Sequence, residues 1–511
     1  MVHPTTPGTR DTSGIFGHPR GLTNLFFTEL WERFGYYGMR ALLTLFMVTE
    51  VAKGGLGYDN VQAGLIYGTY TMSVYMLSIP GGFIADNFLG ARTTVFVGGC
   101  IIAAGYLTLA IHSNLTFYAG LVLVACGTGM LKPNISSMVG SLYSPEDDRR
   151  DAGFSIFYMG INIGALSAPL LTGWLAQSST YKEILAGWGF DPNRSWHWGF
   201  AAAGVGMIAG LIVYIAQRHR LDHVGQAPAA DVPRPWMGLA KVLGGTAAFF
   251  VFVILSDRDG WHWLRWLFLG LPVGATVFYG LNPNPEKKRM AAIFVFCIAA
   301  MLFWAIFEQA GSTIALFSEQ LTDRSLPWGG NLNLLGWHLH FASPFPSAWF
   351  QSVNSFWVIT LAGVFAWMWV ALGDKQPSSP LKFTIGLFFL GLSFVLMVPA
   401  ARLTAEGRVG SLWLIALFFL QTVGELCISP VGLSTMTKLA PGRLTGLVMG
   451  MWFLAAALGN KLAGIMAGDY TATDAPALAG FFTQQAIWVG VATAVMLAIT
   501  PWVKRLMGQV K

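Results

Sequence analysis

The sequence predicts an all-α membrane protein: two six-helix bundles, with two extra helices in the central linker. Three observations carry this reading. Of 511 residues, 54% are hydrophobic and 11% charged, against about 25% charged in an ordinary soluble domain. The apolar residues gather into runs that meet the roughly 20-residue length needed to cross a bilayer. Those runs fall into groups of six, two and six. The mean hydropathy of +0.55 agrees.

The first bundle, 1–217, holds runs near 24–50, 60–86, 92–112, 115–142, 150–175 and 196–217. The linker, 218–290, opens on Arg218, His219, Arg220, Pro228, Pro233 and Pro235. It carries two more runs, near 236–256 and 261–281, and closes on the polar stretch Asn282 to Arg289. The second bundle, 291–511, holds runs near 291–320, 347–373, 381–401, 409–436, 444–468 and 479–508.

Lysine and arginine in loops set the orientation of such a chain. With the N-terminus inside, cytoplasmic segments hold about 18 of them and outer loops about 7. An even number of spans then places both termini in the cytoplasm; the chain is expected in the cytoplasmic (inner) membrane. The longest outer loop, 321–346, is rich in Trp, Asn and Pro. Residues 1–23 lack the charged and apolar regions of a signal peptide, so the first span is expected to be an uncleaved anchor.

Several function classes are excluded. The net charge of +6 comes from loop residues between apolar runs, without the basic, aromatic-interleaved face that nucleic acid would need. Cys100, Cys126, Cys297 and Cys427 lie in apolar runs without metal or disulfide spacing and read as small core residues. No H-E-x-x-H, Walker A loop or G-x-S-x-G elbow is present. Gly204-x-Gly206-x-x-Ala209 sits inside an apolar run and reads as a small-residue packing face. An enzyme is therefore not expected, nor any metal or organic cofactor.

The loop after the second run, Gly82-Phe83-Ile84-Ala85-Asp86-Asn87-Phe88-Leu89-Gly90-Ala91-Arg92, resembles the G-x-L-A-D-x-x-G-R signature of the major facilitator superfamily, with small spacing differences after Asp86. That superfamily joins two six-helix halves around a site near midplane.

Eight ionisable residues lie deep in predicted spans: Glu29, Glu32, Arg33, Arg40, Lys132, Glu308, Glu425 and Lys461. Each costs about 2.5–3.5 kcal/mol at a span centre unless it is paired or hydrated. In the first span Glu29, Arg33, Tyr36 and Arg40 fall within an arc of about 60°, spread over about 16 Å of helix. Such a stripe must line a hydrated path or meet countercharges. Arg40 and Lys132 come from the first half, Glu308 and Glu425 from the second. A cavity basic on one wall and acidic on the other suits a zwitterion, with Asn162 and Asn354 adding amide hydrogen bonds. Tyr36, Tyr75, Trp304 and Trp452 are candidate apolar walls. Lys461 has no partner legible in the sequence.

Five strings carry a closer resemblance. Glu29-x-x-Glu32-Arg33-Phe34-x-Tyr36-Tyr37-Gly38 is similar to the E-x-x-E-R-F-x-Y-Y-G motif of proton-dependent oligopeptide transporters. Phe157-Tyr158 through Asn162 and Gly164 resembles their F-Y-x-x-I-N-x-G signature, and Gly127 to Ser136 their G-T-G-x-x-K-P-N motif. Glu308-Gln309 and Gly424 to Gly432 also match family patterns. The resemblance implies a proton-coupled symporter that imports di- and tripeptides by alternating access, as a monomer in contact with membrane lipids, with the proton as coupling ion. It implies proton coupling at Glu29, Glu32, Arg33 and Glu308. It places Arg40 and Lys132 at the peptide carboxylate, and Glu425, Asn162 and Asn354 at the amine. Tyr36, Tyr75, Tyr158, Trp304, Ser429 and Trp452 complete the implied substrate site. It also implies inter-half salt bridges Arg40–Glu308 and Lys132–Glu425. The inserted helix pair and the short Ala401–Gly410 loop point to a bacterial member. No histidine lies between Asn60 and Asp86, where animal members carry a functional one, so proton handling is expected to rest on carboxylates. A related carrier of nitrate or other organic anions is the alternative, and the intact Glu29-x-x-Glu32-Arg33 string argues against it.

Overall fold

The computed structural model describes residues 11–508, apart from 145–146, 148, 230, 327–330, 335–336, 341–342 and 442–443. Helix occupies each predicted run. The first group is α1 (Arg20–Val48), α2 (Asn60–Met76), α3 (Ser78–Ile84), α4 (Ala91–Leu109), α5 (Asn114–Ser141), α6 (Arg150–Gln177), α7 (Ser179–Gly187) and α8 (Ser195–Ala216). The linker holds α9 (Trp236–Ser256) and α10 (Leu267–Gly280). The remainder is α11 (Pro285–Phe307), α12 (Thr313–Gln320), α13 (Gln351–Leu372), α14 (Ser379–Leu403), α15 (Leu412–Leu439), α16 (Thr445–Met466) and α17 (Ala475–Met507).

The structure corrects the predicted runs at three places. The run 60–86 is interrupted at Leu77, three residues before Pro80. That proline has no N–H to return to the carbonyl of Met76, so the helix ladder lapses there. Past α3 the chain makes a wide turn, Ala85–Leu89, and reverses at Gly90, whose φ of +74° suits a residue without a side chain. The run 261–281 opens as a 3₁₀ turn, His262–Trp266, leaving α10 with 14 residues. The run 291–320 begins earlier, with Asn284 capping Glu286 N and Pro285 in the first turn. It then breaks into a 3₁₀ turn at Glu308–Gly311 before α12. Eleven helices of the described residues are long and apolar enough to span a membrane. The charges of α1, the break after α2 and the brevity of α10 keep those three out of that set.

Part of the loop 321–346 lies outside the described residues. The rest holds β1 (Thr322–Asp323), which pairs in parallel with β4 (Val409–Gly410), and β2 (Asn331–Leu334), antiparallel to β3 (Trp337–His340). The cysteines are free; Cys297 and Cys427 are buried as expected, but Cys100 is exposed and Cys126 only half-buried. A helix presenting one face outward in an apolar medium can hold a small apolar thiol there at little cost.

The described contacts form two compact units. The first comprises Met1–Tyr37, Leu77–Ala168 and Phe200–Gly244, with α4 and α3 packed on α5. The second comprises Gly38–Met76, Pro169–Gly199 and Gly245–Lys511. In it α14 packs on α15 and α17, and α16 packs on α2 and α11. In this second unit a Cβ added to Gly64 would lie 2.3 Å from the Gly464 carbonyl. Only glycine at both positions lets the α2 and α16 backbones touch.

Candidate functional site

The first unit contains a cluster of ionisable side chains on α1. Arg33 Nε lies 2.9 Å from Glu29 Oε1 and 2.5 Å from Glu32 Oε2. All three side chains are essentially sealed, at 2% exposure for Glu29, 0% for Glu32 and 3% for Arg33. One guanidinium thus serves two carboxylates. Glu29 Oε2, Glu32 Oε1 and Arg33 Nη2 are buried without a hydrogen bond among the described residues. Carboxylate oxygens left over in this way can take a proton without first breaking another bond. The Arg33 guanidinium carbon stands 5.3 Å from the Tyr36 ring centre, and Tyr36 meets Tyr37 edge-on at 5.2 Å.

Neighbouring helices fix this cluster. A Cβ on Gly164 of α6 would fall 2.4 Å from Leu30 O and 3.1 Å from Arg33 Cβ. The glycine of the Phe157–Gly164 string is therefore what lets α6 lie flat on α1. Lys132, in α5 just before Pro133, is close enough to act electrostatically on both Glu29 and Glu32. Asn162 is buried and turns its amide back to Tyr158 O at 3.0 Å, while the Tyr158 ring is exposed. Sequence reasoning passed over Tyr106 on α4. It is wholly buried beside Gly35, its hydroxyl has no hydrogen bond among the described residues, and it feels the charges of Glu32 and Arg33.

The second unit contains the other cluster. Arg40 Nη2 is paired with Glu308 Oε2, so that expected bridge is present. Arg40 Nε also donates to Tyr67 Oη at 2.7 Å, and its guanidinium carbon stands 5.8 Å from the Tyr67 ring centre. Glu308 opens the 3₁₀ turn between α11 and α12, so its carboxylate is presented from a discontinuous helix. Asn354 Nδ2 on α13 donates to Glu425 Oε2 at 3.0 Å and to Thr422 Oγ1 at 2.9 Å, both on α15. Glu425 lies within electrostatic reach of Glu308 and Arg40. Arg40, Glu308, Asn354 and Glu425 are thus brought into one neighbourhood; Tyr67 and Thr422 join them and were missed. Their signal, a phenol and a hydroxyl inside apolar runs, is too common to single out.

The remaining candidates occupy varied places in this unit. Trp304 meets Phe303 and Phe307 edge-on, with ring centres 5.3 Å apart in both cases. Trp452 is buried against Phe383 and over Gly432, where no side chain would fit. Ser429 Oγ is buried without a hydrogen bond among the described residues. Tyr75 is half-buried on α2. The arc of charges read on the first span is divided, since Arg40 belongs to the second unit and Glu29, Arg33 and Tyr36 to the first. Lys132 and Asn162 likewise belong to the first unit, and Glu425 to the second.

Comparison with known proteins gives these clusters a setting. The model of the POT family matches residues 92–234 and 282–481. An uncharacterized transporter, YclF of Bacillus subtilis, is 41% identical over 97% of this chain and 96% of its own length. The peptide transporter YePEPT of Yersinia enterocolitica is 37% identical over 98% of this chain and 97% of its own. Among solved structures, a mutant of a peptide transporter POT in complex with alafosfalin superposes with a TM-score of 0.81 at 38% identity, covering 98% of both chains. With the family model matching most of the sequence and these relatives matching nearly all of it, this multi-pass membrane protein belongs to the POT family.

Proposed function

We propose that this protein is a proton-coupled symporter that imports di- and tripeptides by alternating access. The observation that carries the reading is the pair of buried clusters of ionisable side chains, Glu29–Glu32–Arg33 and Arg40–Glu308 with Glu425–Asn354, in a member of a family whose named relatives are peptide transporters. Ion pairs sealed from water contribute little net stability. Keeping this many in one molecule is more readily explained by exchange of partners.

In this reading Glu29, Glu32 and Arg33 couple the proton, together with Glu308. A proton arriving on Glu29 or Glu32 neutralises a carboxylate that Arg33 holds, which changes the field at Lys132. Lys132 and Arg40 then receive the peptide carboxylate, and Glu425, supported by Asn354 and Asn162, receives the amine. Tyr36, Tyr75, Tyr158, Trp304, Ser429 and Trp452 shape the side-chain pockets. The Arg40–Glu308 bridge, with Lys132–Glu425, breaks and reforms as the carrier turns over. One chain carries the whole set, so a monomer suffices for transport. The loop charges support an orientation with both termini in the cytoplasm; in this reading the protein sits in the inner membrane, and surrounding lipids are the remaining partner.

Uptake of labelled dialanine into proteoliposomes tests this directly. Accumulation is expected with an inward proton gradient, and mere equilibration without one. Equal uptake in both conditions, or no competition from unlabelled dipeptides, would reject the reading.

A further inference from the structure

Lys461, on α16, is 0% exposed. An ammonium buried among apolar helices persists only with a countercharge. Its Nζ lies 2.5 Å from Asp257 Oδ2 and donates to Thr69 Oγ1 at 2.8 Å. Asp257 is the residue after the last of α9, and its other oxygen lies 3.2 Å from Arg265 Nη2 in the turn before α10. Thr69 is on α2, one residue past Gly68, where an added Cβ would lie 2.9 Å from Lys461 O. Three elements therefore meet at one ammonium: α16 supplies the charge, α2 a neutral hydroxyl, and the inserted hairpin the carboxylate.

Of the hairpin, α10 packs on α11, whereas α9 is largely exposed. Along α9 the buried residues are Val253 and Ser256, both in the turn that leads into Asp257. The carbonyls at that helix end add negative potential where the lysine arrives. We infer that Asp257 is the resident countercharge of Lys461, and that the inserted hairpin thereby lets α16 carry a buried lysine where it packs on α2. The division of labour has a consequence. Parting α2 from α16 breaks one neutral hydrogen bond and leaves the lysine neutralised by a partner that stays with it. The contact is reversible because the charge is not shared across it.

The test uses a disulfide as reporter. An added Cβ at Gly468 lies 3.7 Å from Val61 Cβ, within the roughly 3.5–4.5 Å a disulfide requires. V61C with G468C, in full-length protein lacking the four native cysteines, is oxidised in membrane vesicles. It needs no substrate, so its outcome is separate from that of the transport reading. The parent is expected to crosslink fully, and T69V to stay within about twofold of it, having lost one neutral bond. D257N is expected to crosslink at least about fivefold more slowly, since its uncompensated lysine seeks water. Adding K461M to D257N is expected to restore the parental rate. Parental crosslinking by D257N, or failure of the double variant to recover, would overturn the proposal. Should D257N not accumulate in the membrane, K461M alone decides: it removes the cation that needs a countercharge, so parental crosslinking supports the countercharge role of Asp257 and its loss refutes it.

Discussion

Arg33 is shared by two carboxylates on its own helix, and that sharing decides what each substitution should do. Glu32 is wholly buried and lies 2.5 Å from the guanidinium. In Glu32→Gln the amide holds the geometry but carries no exchangeable charge. Proton-driven accumulation is expected to vanish, while counterflow of labelled peptide between loaded and unloaded vesicles persists. Full accumulation by that variant would remove Glu32 from the coupling role. Glu425 makes a different prediction. Asn354 already donates to one of its oxygens, so the carboxylate is oriented before any amine arrives. A charge-assisted hydrogen bond contributes about 1.5–3 kcal/mol, which corresponds to roughly 10- to 100-fold in affinity. Glu425→Gln should weaken free-amine dipeptides by that factor and leave N-acetylated ones unchanged, measured by competition. The residues legible in advance were those whose charge is anomalous in an apolar run. Tyr67, Tyr106 and Thr422 were not legible, because a hydroxyl in a span gives no signal until its partner is known.

At the scale of elements, apolar run length located the helices but not their interruptions. The break at Leu77 follows from Pro80, which the sequence displays openly. The break at Glu308 carries no proline; it depends on Gly311 and on a turn closed against Tyr67, whose hydroxyl would lie 2.0 Å from a Cβ at Gly311. Glycine content was equally ambiguous, because the same residue is indispensable in one helix and idle in another. A Cβ on Gly464 would sit 2.3 Å from Gly64 O and 2.6 Å from Gly68 Cα, whereas a Cβ on Gly480 in α17 meets nothing within 4 Å. Backbone atoms cannot swing aside as side chains do. Gly464→Val should therefore part α2 from α16, cost about 1–3 kcal/mol as overpacking does, and lower uptake at least tenfold. Gly480→Ala should keep uptake and raise thermal stability by up to about 1 kcal/mol, the propensity difference in a helix interior. Equal effects from the two, in melting temperature and uptake, would show that the close approach of α2 and α16 is unimportant.

For the whole molecule, the informative feature is where the two compact units divide. The borders fall at Tyr37–Gly38 in α1, at Met76–Leu77 between α2 and α3, at Ala168–Pro169 in α6, at Gly199–Phe200 in α8 and at Gly244–Gly245 in α9. Each is a glycine, a proline or a helix break, where the backbone ladder is weakest. A carrier that works by alternating access needs helices that bend at fixed places, and absorbing the change at a few such residues is how hinged proteins move. Pro169 offers the sharpest test. Its ring removes one ladder bond from α6, and proline is about 3 kcal/mol less favourable than alanine inside a helix. Pro169→Ala restores the bond and stiffens the helix without touching Glu29, Glu32, Arg33, Lys132, Arg40 or Glu425. The variant is expected to melt higher and to bind peptide normally in detergent. Its maximal uptake rate should fall several-fold with little change in half-saturation, because the step that suffers is the turnover between states. A variant that melts higher yet transports at the full rate would show that α6 turns over as a rigid rod, and that the bending lies at the glycine borders instead.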